Sequence, residues 1–446
     1  YDPEEPSITD PFSEVTAYYH VDKINTWYET QLGYTKVCNG SRLVSVVVNM
    51  DYLNAFAMDI DRDGCLDIVL GGDSGPGGHD FAYDADVIYH EYTHGVNRET
   101  AGFRGMAADN LGYDFSSGAL DEGYADYFSI AQTDDPTLGE YALAGATRHA
   151  DNTRTCPKSL QGESHEDGQV WTGTLWEIRD AIGDHETDIL ALAVLQSLTS
   201  RADYNEAGQA LITQAGLLET AGTIPAGGGA AVEGIVNARG LPGCERIITL
   251  NDGDTARIYL MGLQEWGGWV SQIPGGVQFA VPVPADAVRA VLRFTALAYG
   301  TASYDVYVNH NAPVGFTTSG RQPVPSTYAY MISGAPDGIT WAGFTDPPIL
   351  PGTTYYIAFV SKCDYTALLT IDATVVVSSP SEEGEVDGPV EEEVPEAIDA
   401  AEDVLQEYDD STAPDMLPQQ DADAAGEDDI SGLITSEGGC GCRTVQ

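Results

Sequence analysis

His90-Glu91-Tyr92-Thr93-His94 is the stretch on which the reading of this chain turns. On a helix, residues i and i+4 lie on one face about one turn apart. That spacing lets two imidazoles reach one zinc ion at about 2.0–2.1 Å each. Glu91, beside the first ligand, projects towards the open coordination position and can take a proton from water held there. Val87 and Ile88, just upstream, point to a buried helix, where unpaired His and Glu would be costly. The competing reading, a surface helix that carries two histidines by chance, is weaker for that reason.

Two histidines do not complete a catalytic zinc site, which takes three protein ligands and a water. Downstream lies Gly118-Ala119-Leu120-Asp121-Glu122-Gly123-Tyr124-Ala125-Asp126. Glu122 and Asp126 are again i and i+4, so both carboxylates face one way. One can bind metal while the other accepts the outer N–H of a ligand histidine and fixes its tautomer. Alone, such a segment would read as a solvated acidic helix face.

From about Phe12 to Leu241 the chain resembles the thermolysin-like and fungalysin-like gluzincin peptidases, most specifically at His90–Val96 and Ala119–Asp126. The resemblance implies Glu122 as third zinc ligand and Asp126 as the residue that orients a ligand histidine. It implies Glu91 as general base and His165, in Ser164-His165-Glu166-Asp167, as donor to the developing oxyanion. Glu163, Glu166 and Asp167 around His165 favour its protonated form. Tyr113, nine residues before Glu122, falls where the family has a transition-state donor. Asn54-Ala55-Phe56 resembles the edge strand that adds the substrate as an extra strand. Arg148 resembles the arginine that holds a substrate carbonyl, and Val87 the wall of an apolar pocket for the residue after the scissile bond. Most of the family's N-terminal β-rich region has no counterpart ahead of the first helix. Thr133 stands where a calcium-binding acid is expected, although Asp86 is in place.

A second metal reading is independent of the first. Asp59-Ile60-Asp61-Arg62-Asp63-Gly64-Cys65-Leu66-Asp67 places carboxylates at positions 1, 3, 5 and 9 (Asp59, Asp61, Asp63, Asp67) with Gly at 6, a set that suits Ca²⁺. Position 12 is Leu70, so the bidentate Glu of an EF-hand is missing, and the run lies between strands. It reads as a calcium loop in the hairpin beside Asn54 and Ala55; the alternative is a solvated acidic turn.

The chain has 446 residues, which suits two domains plus an appendage. Residues 1–242 alternate amphipathic helices with short strands, the fold expected being α+β. Helices are predicted over Val15–Leu32, Asp84–Val96, Ala119–Ala131, Gln169–Ile182, Thr187–Ser200, Asn205–Leu218 and Ala230–Arg239, with strands over Leu43–Asn49 and Ile68–Leu70. Residues 243–378 change to short Val, Tyr, Phe and Thr-rich runs, such as Asp305–Val308 and Thr354–Phe359, between Gly, Pro and Asn turns. That is the pattern of an antiparallel β-sandwich. It resembles modules that follow the catalytic domain of secreted bacterial peptidases. Residues 379–446 hold 21 acidic residues against one Arg and read as a disordered acidic tail. Their end, Gly439-Cys440-Gly441-Cys442-Arg443, resembles the start of a myxosortase-type sorting tail, which implies surface anchoring.

A net charge of −51 repels phosphate backbones and argues against nucleic-acid binding. No run approaches the ~20 apolar residues that span a bilayer. Seven cysteines without a CxxC pair suit export; Cys38 with Cys65, and Cys244 with Cys363, are the expected disulfides. The chain begins at Tyr1 and reads as a processed or trimmed form whose leader lies upstream, a pro-segment being left open. The expectation is thus a secreted or cell-surface zinc endopeptidase, monomeric, acting on protein or peptide substrates, with Zn²⁺ and Ca²⁺ as cofactors. The alternative is a non-catalytic, calcium-stabilised surface binding or adhesion protein.

Overall fold

A computed structural model describes residues 9–40, 44–73, 78–143, 147–264, 270–296, 302–319 and 322–378. The acidic tail and its Gly-Cys element lie outside the described residues.

The first part is mainly helical. It begins with α1 (Pro11–Leu32), which starts on the Asp10 cap with Pro11 in its first turn and stops at Gly33 in the left-handed conformation. Three strands follow, β1 (Ser45–Asp51), β2 (Ala55–Met58) and β3 (Asp67–Gly72). They form a sheet in the order β1-β3-β2, which leaves β2 at an edge. Next come α2 (Ala85–Glu99), the hairpin β4 (Ala107–Asp109) and β5 (Gly112–Asp114), and α3 (Ser116–Thr133). The short pair β6 (Thr137–Leu138) and β7 (Arg148–His149) precedes α4 (Ser164–Ile182), α5 (Asp184–Leu195), α6 (Tyr204–Ala221) and α7 (Gly228–Ala238).

The second part is strand-rich. Its strands are β8 (Ile247–Thr249), β9 (Thr255–Leu260), β10 (Ile273–Pro274), β11 (Gln278–Pro282), β12 (Ala287–Ala296) and β13 (Tyr304–His310). They continue as β14 (Gly315–Ser319), β15 (Gln322–Thr327), β16 (Tyr330–Ile332), β17 (Gly338–Ala342), β18 (Thr354–Ser361) and β19 (Ala367–Val377). One sheet runs β16-β13-β18-β11-β8, the other β17-β12-β19-β9. Alternate inward residues, Ala290 and Leu292 on β12 and Leu369 and Ile371 on β19, are buried, as a half-buried sheet requires. The predicted runs at 305–308 and 354–359 are the paired strands β13 and β18.

Three expectations need correction. The sandwich is not wholly antiparallel, because β8 enters from the helical part and pairs parallel to β11. The disulfide of Cys244 is with Cys156, not Cys363. Cys244 follows α7, whose end runs along Cys156 through the bond from Cys156 N to Arg239 O (2.9 Å). Cys363 is buried and free, its thiol bonded to the Ser303 backbone at 3.3 Å. Finally, α5 ends at Leu195 rather than Ser200, where Ser197 Oγ takes the Val194 carbonyl and competes with the helix. The expected pair Cys38–Cys65 is present.

The helix α2 is buried from Asp86 to Asn97. Its cap, Asp84, accepts from Asp86 N and from Ala142 N. Burial, reinforced by the neighbouring Asp84 carboxylate, pushes Asp86 from the usual 3.8 up to about 7. A carboxyl raised in the folded state keeps a proton that the unfolded chain has released. Stability therefore falls as pH rises from 3.8 to about 7. In chelator-treated protein, Asp86→Asn should reduce the loss of melting temperature between acidic and neutral pH, measured by circular dichroism; an unchanged loss would count against this.

Candidate metal centre

Three helices supply the site. His90, Glu91 and His94 come from α2, Asp121, Glu122 and Asp126 from α3, and His165 from the first turn of α4. The last two helices cross where Gly123 faces Gly168. A Cβ on Gly123 would stand 2.7 Å from Gly168 O, so only glycine allows this approach. The close crossing brings Glu122 Oε2 within 3.2 Å of His165 Nε2.

His90 Nε2 lies 3.1 Å from His94 Nε2 and 3.2 Å from Glu122 Oε2, and His94 Nε2 lies 3.8 Å from the same oxygen. Ligands at about 2.0–2.1 Å around a tetrahedral zinc stand about 3.3 Å apart, so the three atoms have the right separation. The outer nitrogens are occupied: His90 Nδ1 bonds Asp126 at 2.9 Å and His94 Nδ1 bonds Asp121 at 3.0 Å. With both Nδ1 atoms donating, neutral imidazoles turn two bare Nε2 lone pairs towards one point. Glu122 Oε2 is buried among these imidazoles. These donors fit a zinc ion held by His90, His94 and Glu122.

Without the ion, the surrounding carboxylates favour positive charge at the same point. Burial opposes a charge on His94, yet Asp121 and Glu122 outweigh it and push the imidazole up to about 10. Burial also works against the Glu122 carboxylate, but His165 and His94 hold it well below the usual range. Glu91 is raised by its burial, with His90 and His94 pulling the other way. A carboxylate so placed is a stronger base than one in water.

His165 lies in a helix, not a loop. Glu163 caps α4, accepting from the backbone N of His165 and Glu166, and also holds His165 Nδ1 at 2.9 Å. Burial would lower this imidazole, but in the metal-free site Glu122 and Glu163 raise it to about 10, which favours its protonated, donating form.

The cleft beside the metal ligands is lined by Asn54, Ala55, Val87, Arg148 and His165, together with Phe81, Leu138 and Leu143. Asn54 Oδ1 accepts from Ala55 N at 2.7 Å, and Asn54 O accepts from Gly71 N. Arg148 approaches Asp126 at 3.4 Å. Tyr113 is not among the residues that line this cleft. It lies on β5, buried with Phe115, Met261 and Ile273. In the acidic loop, carboxylate oxygens of Asp59, Asp61 and Asp67 lie within 4.8 Å of one another, while Asp63 instead accepts from Cys65 N. Asp59 also pairs with Arg98, at the end of α2, at 2.8 Å.

Two contributors were missed in the sequence. Asp121 was passed over because neighbouring residues on a helix point about 100° apart. It meets His94 because α2 packs against α3. Asn97, three residues after His94, is buried and donates to both the carboxylate and the carbonyl of Asp121 (2.6 and 3.0 Å). Its position one turn beyond His94 was the available signal.

The family model described as thermolysin metallopeptidase, catalytic domain, matches residues 7–98, and that described as fungalysin metallopeptidase (M36) matches residues 74–188. Extracellular metalloproteinase 2 of Trichophyton rubrum is 33% identical over 113 residues, 21% of this chain and 18% of that protein. The matched stretch thus spans under a fifth of the relative's length. The precursor of protealysin, a metalloproteinase from Serratia proteamaculans, is similar in structure over 53% of this chain and 80% of that one, at 16% identity and a TM-score of 0.43. The pre-peptidase C-terminal domain of a Bacillus anthracis collagenase is similar over 29% of this chain and 94% of that one, at 11% identity and a TM-score of 0.19.

Because Asp121 alone bonds His94 Nδ1 among the described residues, Asp121→Ala should weaken zinc binding by about 10- to 100-fold in a chelator competition. Wild-type affinity in that variant would remove Asp121 from the site.

Proposed function

We propose that this chain, which carries a thermolysin/fungalysin-like metallopeptidase domain, is an endopeptidase that hydrolyses protein or peptide substrates. One observation carries the reading: Glu91 lines the cleft beside the three converging ligand atoms, where a base can serve a water on their open side. Zinc, when bound, supplies polarisation of the scissile carbonyl and acidifies water.

The residues of the chain do the rest. Glu91 takes a proton from the attacking water and returns it to the leaving amine. His165, held by Glu163, donates to the developing oxyanion. Asp126 and Asp121 keep His90 and His94 in the tautomer whose Nε2 lone pairs face inward. The substrate extends along β2, the sheet edge, with Asn54 and Ala55 beside it and Arg148 at the far side. Phe81, Val87, Leu138 and Leu143 form the apolar wall for the residue after the cleaved bond. Tyr113 would have to leave its buried cluster to act, so the oxyanion role is given to His165. The non-catalytic alternative offers no use for Glu91 in this position.

The same reading divides the chain at 1–242, 243–378 and 379–446, and treats it as a monomer acting outside the cell or at its surface. The two disulfides and the extracellular relative support that location. Calcium is assigned to Asp59, Asp61 and Asp67, with Asp63 completing the set. This loop joins β2 to β3, so the ion would stiffen the strand that holds substrate.

Glu91→Gln should keep zinc and the fold while losing most casein hydrolysis; full activity would end the proposal. With zinc held constant, peptidase rate should rise with added calcium and the rise should vanish in an Asp59→Asn, Asp61→Asn double variant. A flat response in the wild type would dismiss the calcium loop.

A further inference from the structure

We propose that the sandwich is a built-in brace of the active site, because one of its turns is wedged between the two loops that set Glu122 and His165. This rests on the peptidase reading above and adds a positioning role for Arg246 and the Gly275-Gly276 turn.

The wedge is the segment between β10 and β11. On one side it meets the β4–β5 hairpin, which leads through Phe115 into α3 and so to Glu122. Arg246, almost wholly buried, donates to Tyr113 O at 2.6 Å and to Gly276 O at 2.8 Å, and pairs with Asp109 and Asp114. Gln278, fully buried, donates to Leu111 O at 3.1 Å, and Phe316 N donates to Asn110 O at 3.0 Å. Asp114 in turn accepts from Ser116 N, the first residue of α3.

On the other side the same turn meets the approach to His165. Tyr259 N, on β9, donates to Gln161 O at 2.9 Å. Gln161 N and Gly162 N donate to the Asp167 carboxylate at 2.6 and 3.0 Å, and Glu163 then holds His165. Gly276 touches both sides at once. A Cβ there would stand 2.7 Å from the Phe115 ring and 2.9 Å from Gly162 Cα.

The connection between the two parts is also immobilised. The Cys156–Cys244 disulfide pins it to the helical part. Arg239, buried just before it, bonds Glu177, the Asn152 and Gly173 carbonyls and Arg154 O. A sandwich tethered and wedged in this way cannot act as a swinging appendage. It steadies the loops that lead to Glu122 and His165, which the glycine crossing brings within 3.2 Å.

The test is Gly276→Ala in the full chain, beside Leu292→Ala, which opens a cavity in the sandwich core on β12 between β17 and β19. Gly276→Ala should keep its zinc and lower kcat by about 10- to 100-fold with little change in KM, the scale of effect expected from a small displacement of catalytic groups. Amide hydrogen exchange should quicken over residues 111–116 and 161–167. Leu292→Ala should lower the melting temperature at least as far and change neither reading. Arg246→Lys, which keeps the charge but loses the fork, should give a smaller loss in the same direction. Wild-type kcat in Gly276→Ala, or equal kcat losses in Gly276→Ala and Leu292→Ala, would overturn the brace. Unchanged exchange in the two loops would overturn it whatever the activity does.

Discussion

Two imidazole nitrogens 3.1 Å apart, each with its lone pair turned towards the other, are the constraint around which this molecule is organised. Without a cation between them these groups would have to share a proton in its place, with the buried Glu122 carboxylate beside them. The surrounding structure holds the arrangement in place. Asp126 and Asp121 take the outer nitrogens, Asn97 anchors Asp121, and the glycine crossing of α3 and α4 sets the depth of Glu122. A site so over-determined binds a metal without having to rearrange, which is the condition for holding a reacting water and a base in register.

The acids of the chain serve different ends in different surroundings. Glu122 is kept ionised by three histidines although it is buried, whereas Glu91, equally buried, is raised. That divergence separates a ligand from a base. Asp86 goes further, since Asp84 and burial together push it to about 7. The net charge of −51 therefore says little about any one carboxylate.

The junction of the two parts shows how an accessory fold becomes part of a site. Among the described residues the sandwich contributes none to the cleft lining, yet its Gly275-Gly276 turn and Arg246 reach the backbone on both sides of the metal centre. A parallel strand, β8, is the structural sign of this union, because it brings the chain directly from the helical part onto the edge of a sandwich sheet.

The periodicity of α2 and α3, their caps, and the i and i+4 spacing of His90/His94 and Glu122/Asp126 are local properties, and the sequence alone determined them. The sandwich strands, whose alternation is set by the pleat, were legible in the same way. What only the tertiary structure decided is which side chains from separate elements meet. Asp121 reaches His94 through the packing of α2 on α3, Cys244 finds Cys156 because α7 returns alongside it, and Tyr113 turns into the seam with the sandwich. Local spacing fixes the direction of a side chain relative to its own helix or strand. The partner it meets depends on how those elements pack, which no stretch of neighbouring residues specifies by itself.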